Sequence, residues 1–273
     1  MITSVVSRSI QARVRRLWLM TTPRLNALST SVHRLRSIVE PLDDASITRP
    51  AYPSEWTIAQ VMSHLGSGAV IFVRRLGDQL SGVATPDDFA PSVWDEWNAK
   101  APRAQVDDGL AADAAFLAAL DAATDDERRE FSFPLGPMTF DFDGFVGLRL
   151  NEHAFHTWDI DVTLDPSATI PGPIAALVVD NLDLIARFTA KPNGEPATVT
   201  VRTTDPERTF TIEFDPDRVA LTASADATGS ADLALPAEAF ARLTYGRLDP
   251  AHTPAFAGHE ALLDRLRVTF PGP

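Results

Sequence analysis

Two histidines and one glutamate are the residues of this chain whose types and spacing best fit metal chemistry. Glu152 and His156 lie four positions apart in a segment of helical character, and His64 lies far upstream in another such segment. A separation of four residues puts a carboxylate and an imidazole on the same face of a helix, one turn apart. Together the three form the ligand set of an open zinc site, which leaves a position for water or substrate.

The helix that carries Glu152 and His156 has an unusual inner face. Apolar residues supply part of it, but Arg149 and Asp159 fall within the same arc. Charged groups on a face that packs into a bundle are costly unless they are paired or bound to a metal. A divalent cation would satisfy Glu152 and His156, and Arg149 or Asp159 would then orient these ligands.

The same residues also have an interpretation without metal. A glutamate and a histidine one turn apart can form a surface pair, and a single His64 is more often structural than ligating. His153 points about a quarter-turn away from the pair and is interpreted as a bystander. Exposed or capping roles are expected for the histidines that lack ligand-like spacing, His33, His252 and His259.

Composition restricts the classes of function. The chain has 273 residues, of which 45% are hydrophobic, so it can build one large or two modest domains with a sizeable core. A net charge of −13 argues against nucleic acid as a partner, because phosphate binding needs a basic surface. Since the chain has no cysteine, any thiol chemistry needs an external thiol. Neither a membrane span nor a secretory signal is indicated, so we predict a cytoplasmic protein, monomeric or homodimeric.

Apolar periodicity predicts a four-helix bundle over residues 21–168. The first helix starts at Thr22-Pro23, with threonine as N-cap and proline in the first helical position. The second follows Pro53-Ser54, with Ser54 as N-cap, and places His64 at the edge of its buried stripe.

The rest of the bundle contains two more helices, over about 105–123 and about 142–164. Residues 81–103, rich in proline, aspartate and tryptophan, are predicted to form a long loop. Residues 131–140 are predicted to form a turn or short hairpin.

A smaller α+β domain is predicted over residues 169–273, because strand signals appear there. A helix over 173–190 comes first. The further predicted elements are strands at 197–203, 209–214, 219–223 and 231–235 and helices at 236–245 and 258–267.

Residues 1–20 differ from the rest in being basic, with apolar residues at helical spacing. A membrane-surface helix is one interpretation. We favour the other, a start codon placed too early, with the domain opening near Met20. A chain starting at Met20 is then expected to keep its melting temperature.

Several motifs resemble one known family. The segment from Trp56 to His64-Leu65 is similar to a helix of the DinB-like metal-binding bundles. The pattern Arg149-x-x-Glu152-x-x-x-His156-x-x-Asp159 resembles the last helix of their mycothiol-dependent maleylpyruvate isomerase branch. The C-terminal half resembles that family's sterol-carrier-like domain at Ala231-Asp232-Leu233, Tyr245-Gly246-Arg247, Phe256-Ala257-Gly258 and Phe270-Pro271-Gly272.

This resemblance implies a DinB-like bundle with a sterol-carrier-like α+β domain, and a divalent metal, usually zinc, held by His64, Glu152 and His156. It also implies mycothiol as the thiol and isomerisation or S-transfer on a small, acidic substrate. A metal-dependent hydrolase and a non-enzymatic protein that binds a small ligand are the alternatives, and dependence of activity on thiol separates the first of these from the thiol enzyme.

Arg247 is the candidate for binding an acidic substrate group, with Arg149 next. Gly246 allows a sharp turn at the end of the preceding helix, and the planar guanidinium of Arg247 suits a carboxylate. The alternative is an arginine that caps the last carbonyls of that helix.

Overall fold

The computed structural model describes residues 22–52, 54–192, 195–224 and 230–272. The chain folds as two compact units, one running to Thr163 and the other starting at Leu164. The predicted α+β class, a four-helix bundle followed by a smaller α+β unit, is confirmed. Residues 1–20, interpreted above as an N-terminal extension, lie outside the described residues.

Four long helices dominate the first unit. In chain order its described elements are α1 (Pro23–Val39), α2 (Asp44–Ile47), α3 (Ile58–Leu80), α4 (Phe89–Asn98), α5 (Pro102–Ala122), α6 (Asp125–Glu130), β1 (Phe133–Leu135), β2 (Met138–Phe140) and α7 (Phe142–Leu164). The predicted fourth helix is confirmed as α7, and the hairpin predicted over 131–140 is confirmed as the antiparallel pair β1–β2.

The first two long helices begin at different kinds of cap. The predicted start of α1 is confirmed, because the Thr22 side chain accepts a hydrogen bond from the Leu25 amide. The prediction of Ser54 as N-cap of the second helix was wrong. Helix α3 begins at Ile58, and Thr57 and Gln60 form a reciprocal capping box that satisfies two amides at once.

The prediction of a long loop over 81–103 was also wrong for the second half of that segment. Helix α4 occupies Phe89–Asn98, with Pro91 in its first turn, where a missing amide proton costs no intrahelical bond. Its buried residues Val93 and Trp97 face α3. The next helix starts at Pro102 instead of about 105, because proline is favoured in the first helical position.

A close helix contact fixes α3, which carries His64, against α5. A Cβ on Gly66 would lie 2.8 Å from the Gly109 Cα and 2.2 Å from the Trp97 ring. A Cβ on Gly109 would in turn lie 2.9 Å from the Met62 carbonyl oxygen. Any side chain at either position would force the helices apart, so the two glycines set the depth at which α3 sits in the bundle.

The second unit contains a five-stranded sheet. Its described elements are α8 (Gly172–Val179), α9 (Leu182–Thr189), β3 (Ala197–Thr204), β4 (Arg208–Phe214), β5 (Val219–Ala223), β6 (Leu233–Pro236), α10 (Ala237–Thr244), a short 3-10 turn (Pro250–His252), β7 (Ala257–Gly258) and α11 (Glu260–Thr269). The strand order is β5-β4-β3-β6-β7, with β3 and β6 parallel and the other neighbours antiparallel.

A single helix over 173–190 was predicted, and that prediction was wrong. Asp180 and Asn181 separate α8 from α9, because short polar side chains compete for nearby backbone groups and favour helix ends. The sheet itself follows the expected alternation, with Phe210, Ile212 and Phe214 buried on one face of β4. In the part of the chain that the structure describes, no helix is both long and apolar enough to span a bilayer.

Candidate metal centre

His64 lies in the second turn of α3, at the edge of that helix's buried stripe. The residues on either side, Ser63 and Leu65, are 2% and 0% exposed, whereas the His64 side chain keeps 37% of its surface. The capping box at Thr57 and the glycine contact at Gly66 bracket this turn. A histidine held on a rigid helix at a partly open edge suits a metal ligand.

Helix α7 brings Glu152 and His156 to the same place. Glu152 Oε2 lies 3.1 Å from His64 Nε2 and 3.7 Å from His156 Nε2. Ligand atoms of all three residues lie within 4.8 Å of one another. The structure thus brings together the three side chains singled out from the sequence, although His64 and Glu152 are 88 positions apart.

Asp159 orients His156. Its Oδ2 lies 2.8 Å from His156 Nδ1. An ionised carboxylate only accepts, so Nδ1 carries the proton and Nε2, the atom nearer Glu152, presents its lone pair. Asp159 is fully buried, and its carbonyl accepts a hydrogen bond from the Tyr52 amide at 2.9 Å. Such a carboxylate–histidine pair commonly supports a metal ligand.

The charge states of the cluster suit a cation. Partial desolvation by the surrounding protein raises the pKa of Glu152, whose side chain keeps 46% of its surface. The hydrogen bond from His64, the positive charges that His156 and His64 carry when protonated, and that of Arg149 outweigh this effect and lower the pKa to about 2. Burial lowers the pKa of His156 below its usual value and exceeds the opposite effect of Asp159. At neutral pH the centre therefore offers a carboxylate and a neutral imidazole, which are the forms that bind metals.

An aromatic side chain borders the histidines. The Trp56 ring centroid lies 5.3 Å from that of His64 and 6.1 Å from that of His156, with the second pair stacked. Trp56 is 37% exposed. The indole therefore gives the open edge of the centre an apolar wall.

A buried ionic cluster behind the centre was missed in the sequence. It consists of Asp113 on α5 and Arg149 and His153 on α7, each no more than 1% exposed. His153, interpreted as a bystander, is fully buried between Asp113 and Ser31, which lie 3.1 and 2.9 Å from its two ring nitrogens. His153 is not among the three clustered ligands, as that interpretation expects, but it does pair with a buried carboxylate.

A signal for this cluster was present in the sequence. Asp113 lies three residues from both Leu110 and Phe116, in the buried stripe of α5. A carboxylate in such a stripe needs a partner. In the fold, His153 and Arg149 are the partners of Asp113. Burial raises the pKa of Asp113, but the charges and hydrogen bonds of these two residues outweigh burial and lower the pKa.

Neither arginine proposed for substrate lies in an open setting. Arg149 is 1% exposed and donates from Nη2 to Asp113 Oδ1 at 2.8 Å and to the Leu65 carbonyl at 2.6 Å. This geometry favours a supporting role over contact with substrate. Arg247 belongs to the second unit, is 8% exposed and donates from Nη1 to the Tyr245 carbonyl at 2.8 Å.

The turn that carries Arg247 is a Schellman motif. The amides of Gly246 and Arg247 donate to the carbonyls of Leu243 and Arg242, and Gly246 has a φ of +70°. A Cβ on Gly246 would lie 2.5 Å from Pro271 and Gly272 backbone atoms, so the C-terminal segment packs directly on this turn. The predicted role of Gly246 in a sharp turn is confirmed.

The family assignment follows from a sequence comparison. Residues 28–161 match the sequence model of the mycothiol maleylpyruvate isomerase N-terminal domain. This part of the chain belongs to that family. The matched span includes His64, Glu152 and His156, and the family predicted from the motifs is confirmed.

Two solved structures of a mycothiol-dependent maleylpyruvate isomerase share the fold. One, of a histidine-to-alanine mutant, has a TM-score of 0.62 and 12% identity and covers 86% of this chain and 91% of its own. The other has a TM-score of 0.60 and 14% identity and covers 82% and 88%. These likenesses extend beyond the N-terminal domain of the isomerase family into the second unit. No curated protein sequence gives a significant match to the chain.

Proposed function

We propose that this chain is a metal-dependent enzyme that uses a low-molecular-weight thiol, mycothiol, for isomerisation or S-transfer on a small acidic substrate. One observation carries the proposal. An imidazole nitrogen of His64 converges within 4.8 Å with the Glu152 carboxylate and the His156 imidazole, which lie far from it in sequence, in a domain of the mycothiol maleylpyruvate isomerase family.

The donor set fits a divalent ion, and zinc is the ion we propose. Two imidazoles and one carboxylate are a ligand set used in catalytic zinc sites. Glu152 is ionised at neutral pH, and Asp159 keeps the lone pair of His156 Nε2 directed at the centre. When bound, such an ion lowers the pKa of a coordinating thiol and so supplies a thiolate near neutral pH.

The chain would position an external thiol and the substrate for the reaction. No cysteine is present, so the nucleophile must come from the external thiol. In an isomerisation its sulfur forms a C–S bond with one alkene carbon and a proton adds to the other. The resulting single bond rotates, and loss of the thiol and that proton leaves the trans alkene. In an S-transfer the C–S bond persists. The apolar wall at Trp56 would shield this chemistry from water.

The proposed use of a thiol has a direct test. Protein loaded with zinc is incubated with maleylpyruvate, with and without mycothiol, and formation of the trans isomer or an adduct is followed. Turnover is expected only when metal and thiol are both present, and removal of the metal by a chelator should abolish it reversibly. Turnover of an ester or amide with metal but without thiol would instead favour the hydrolase.

Arg247 is our proposal for the residue that binds the acidic group of the substrate, because its guanidinium suits a carboxylate. Arg247→Ala is expected to keep its metal content while losing most thiol-dependent turnover. Arg247→Lys keeps the charge and serves as the matched control. A lower unfolding temperature with unchanged turnover would leave Arg247 only the role of closing α10 through the Tyr245 carbonyl.

A further inference from the structure

The buried ionic cluster of Asp113, Arg149 and His153 lies outside the proposed chemistry but close to its ligands. All three side chains are shielded from solvent. A group so deeply buried cannot meet a substrate at the open edge of the centre. What the cluster can do is hold helices in place.

Arg149 connects the two helices that supply the ligands. It lies on α7, three residues before Glu152, and donates to the carbonyl of Leu65 on α3, the residue after His64. That carbonyl lies inside α3, so the additional donor sets the position of this turn relative to α7. Asp113 on α5 holds the same guanidinium nitrogen at 2.8 Å.

A glycine makes this reach possible. A Cβ on Gly68 of α3 would lie 2.8 Å from Arg149 Nη1. Any side chain at Gly68 would push against a guanidinium that Asp113 and Leu65 already fix. The surface of α3 is therefore shaped to admit Arg149 one turn beyond His64.

We propose that Asp113 is a positioning residue of the metal centre, which acts through Arg149 and the Leu65 carbonyl to fix His64 on α3 relative to Glu152 on α7. The inference rests on the proposed metal-binding function. The second oxygen of the Asp113 carboxylate lies 3.1 Å from Nε2 of His153, which precedes Ala154 and follows Glu152 on α7, so Asp113 holds α7 at two residues.

The alternative is that the cluster only stabilises the bundle, and metal affinity distinguishes the two. Zinc and cobalt affinities are measured by competition with a chromogenic chelator, well below the melting temperature of every variant. Asp113→Asn keeps the size of the side chain but removes its charge, and is expected to weaken affinity about 10- to 100-fold. The absorption spectrum of bound cobalt should change with it.

Leu120→Ala is the matched control, because Leu120 is fully buried on the same helix, about two turns from Asp113. It should lower the melting temperature and leave affinity and cobalt spectrum unchanged. Equal affinities in Asp113→Asn and the unaltered chain would overturn the proposal.

Gly68→Ala is a second variant that leaves every charge in place. Alanine favours helix over glycine, so a purely structural account expects no loss of metal affinity. The positioning account expects weaker affinity, because the added methyl displaces Arg149. Unchanged affinity in Gly68→Ala would contradict it even if Asp113→Asn fails to fold.

A measurement on metal-free protein separates this inference from the proposed function. The His64 ring is followed by NMR and assigned through its absence in His64→Ala. Asp113→Asn should move the His64 ring signals and Leu120→Ala should not. If the unaltered chain binds no metal, the proposed function fails, and these spectra still decide whether Asp113 positions His64. Unmoved signals overturn the inference.

Discussion

Replacing both His64 and His156 with alanine is expected to reduce bound divalent metal from about one ion per chain to none. Two of the three donors are then lost, and a single carboxylate that is 46% exposed on its side chain cannot hold the ion against water. Metal analysis after dialysis measures the stoichiometry. Thiol-dependent turnover should disappear with the metal.

The matched control replaces His33 and His259, which are both exposed and are not among the clustered ligands, with alanine. This control removes the same number of imidazoles and should keep the metal. Unfolding gives a second readout, because a ligand that binds only the folded state raises its stability. A chelator should lower the melting temperature of the unaltered chain and of the control but not of the His64/His156 variant. Full metal content in that variant would refute the proposed centre.

Arg149→Met is expected to lower the free energy of unfolding by about 3–5 kcal/mol. Arg149 and Asp113 are each 1% exposed, so methionine would leave the buried carboxylate without its arginine partner. The penalty for such a charge exceeds the loss of one hydrogen bond. Denaturant unfolding at neutral pH measures the change.

Arg129→Met supplies the control, because it breaks an ion pair with Asp126 whose side chains are 68% and 81% exposed. Exposed pairs contribute little, so almost no change is expected. A variant in which Arg149→Met is combined with Asp113→Leu should recover part of the loss, since no unpaired charge remains. A similarly small effect for Arg149→Met and Arg129→Met would show that the cluster is not the buried network described.

The buried pair of Asp113 and Arg149 makes the stability of the fold depend on pH. The pKa of Asp113 is lowered in the folded chain. The ionised Asp113 carboxylate therefore contributes its full stabilisation of the fold above the pKa that it has in the unfolded chain, about 3.9. That contribution is lost as the pH falls through the lower folded value. The stability gap between the unaltered chain and Arg149→Met should therefore narrow below about pH 4.

Short-range features were determined by the sequence alone. The spacing of Glu152 and His156 places them one turn apart in any helix, and α7 has the predicted bounds. The start of α1 at Thr22-Pro23 and the turn at Gly246 follow from backbone preferences of single residues. These features depend on neighbours along the chain, so local patterns suffice to predict them.

Predictions from the sequence were wrong where two local signals competed. Ser54 and Thr57 both suit an N-cap, and the reciprocal bonds between Thr57 and Gln60 decide for Thr57. Helix α4 buries Val93 and Trp97, but Pro91 and the acidic residues around it indicated a loop. In both cases a contact that the local composition does not reveal determined the outcome.

Only the tertiary structure decided which distant residues meet. His64 faces Glu152 because Gly66 and Gly109 set the separation of α3 and α5, and because Arg149 ties α3 to α7. The packing of α5 against the other helices likewise brings Asp113 to Arg149. A helix fixes the spacing along its own axis, but its rotation and depth against another helix depend on side-chain volumes and hydrogen bonds from both. The sequence therefore identified the ligands, whereas the packing of α3, α5 and α7 made them one centre.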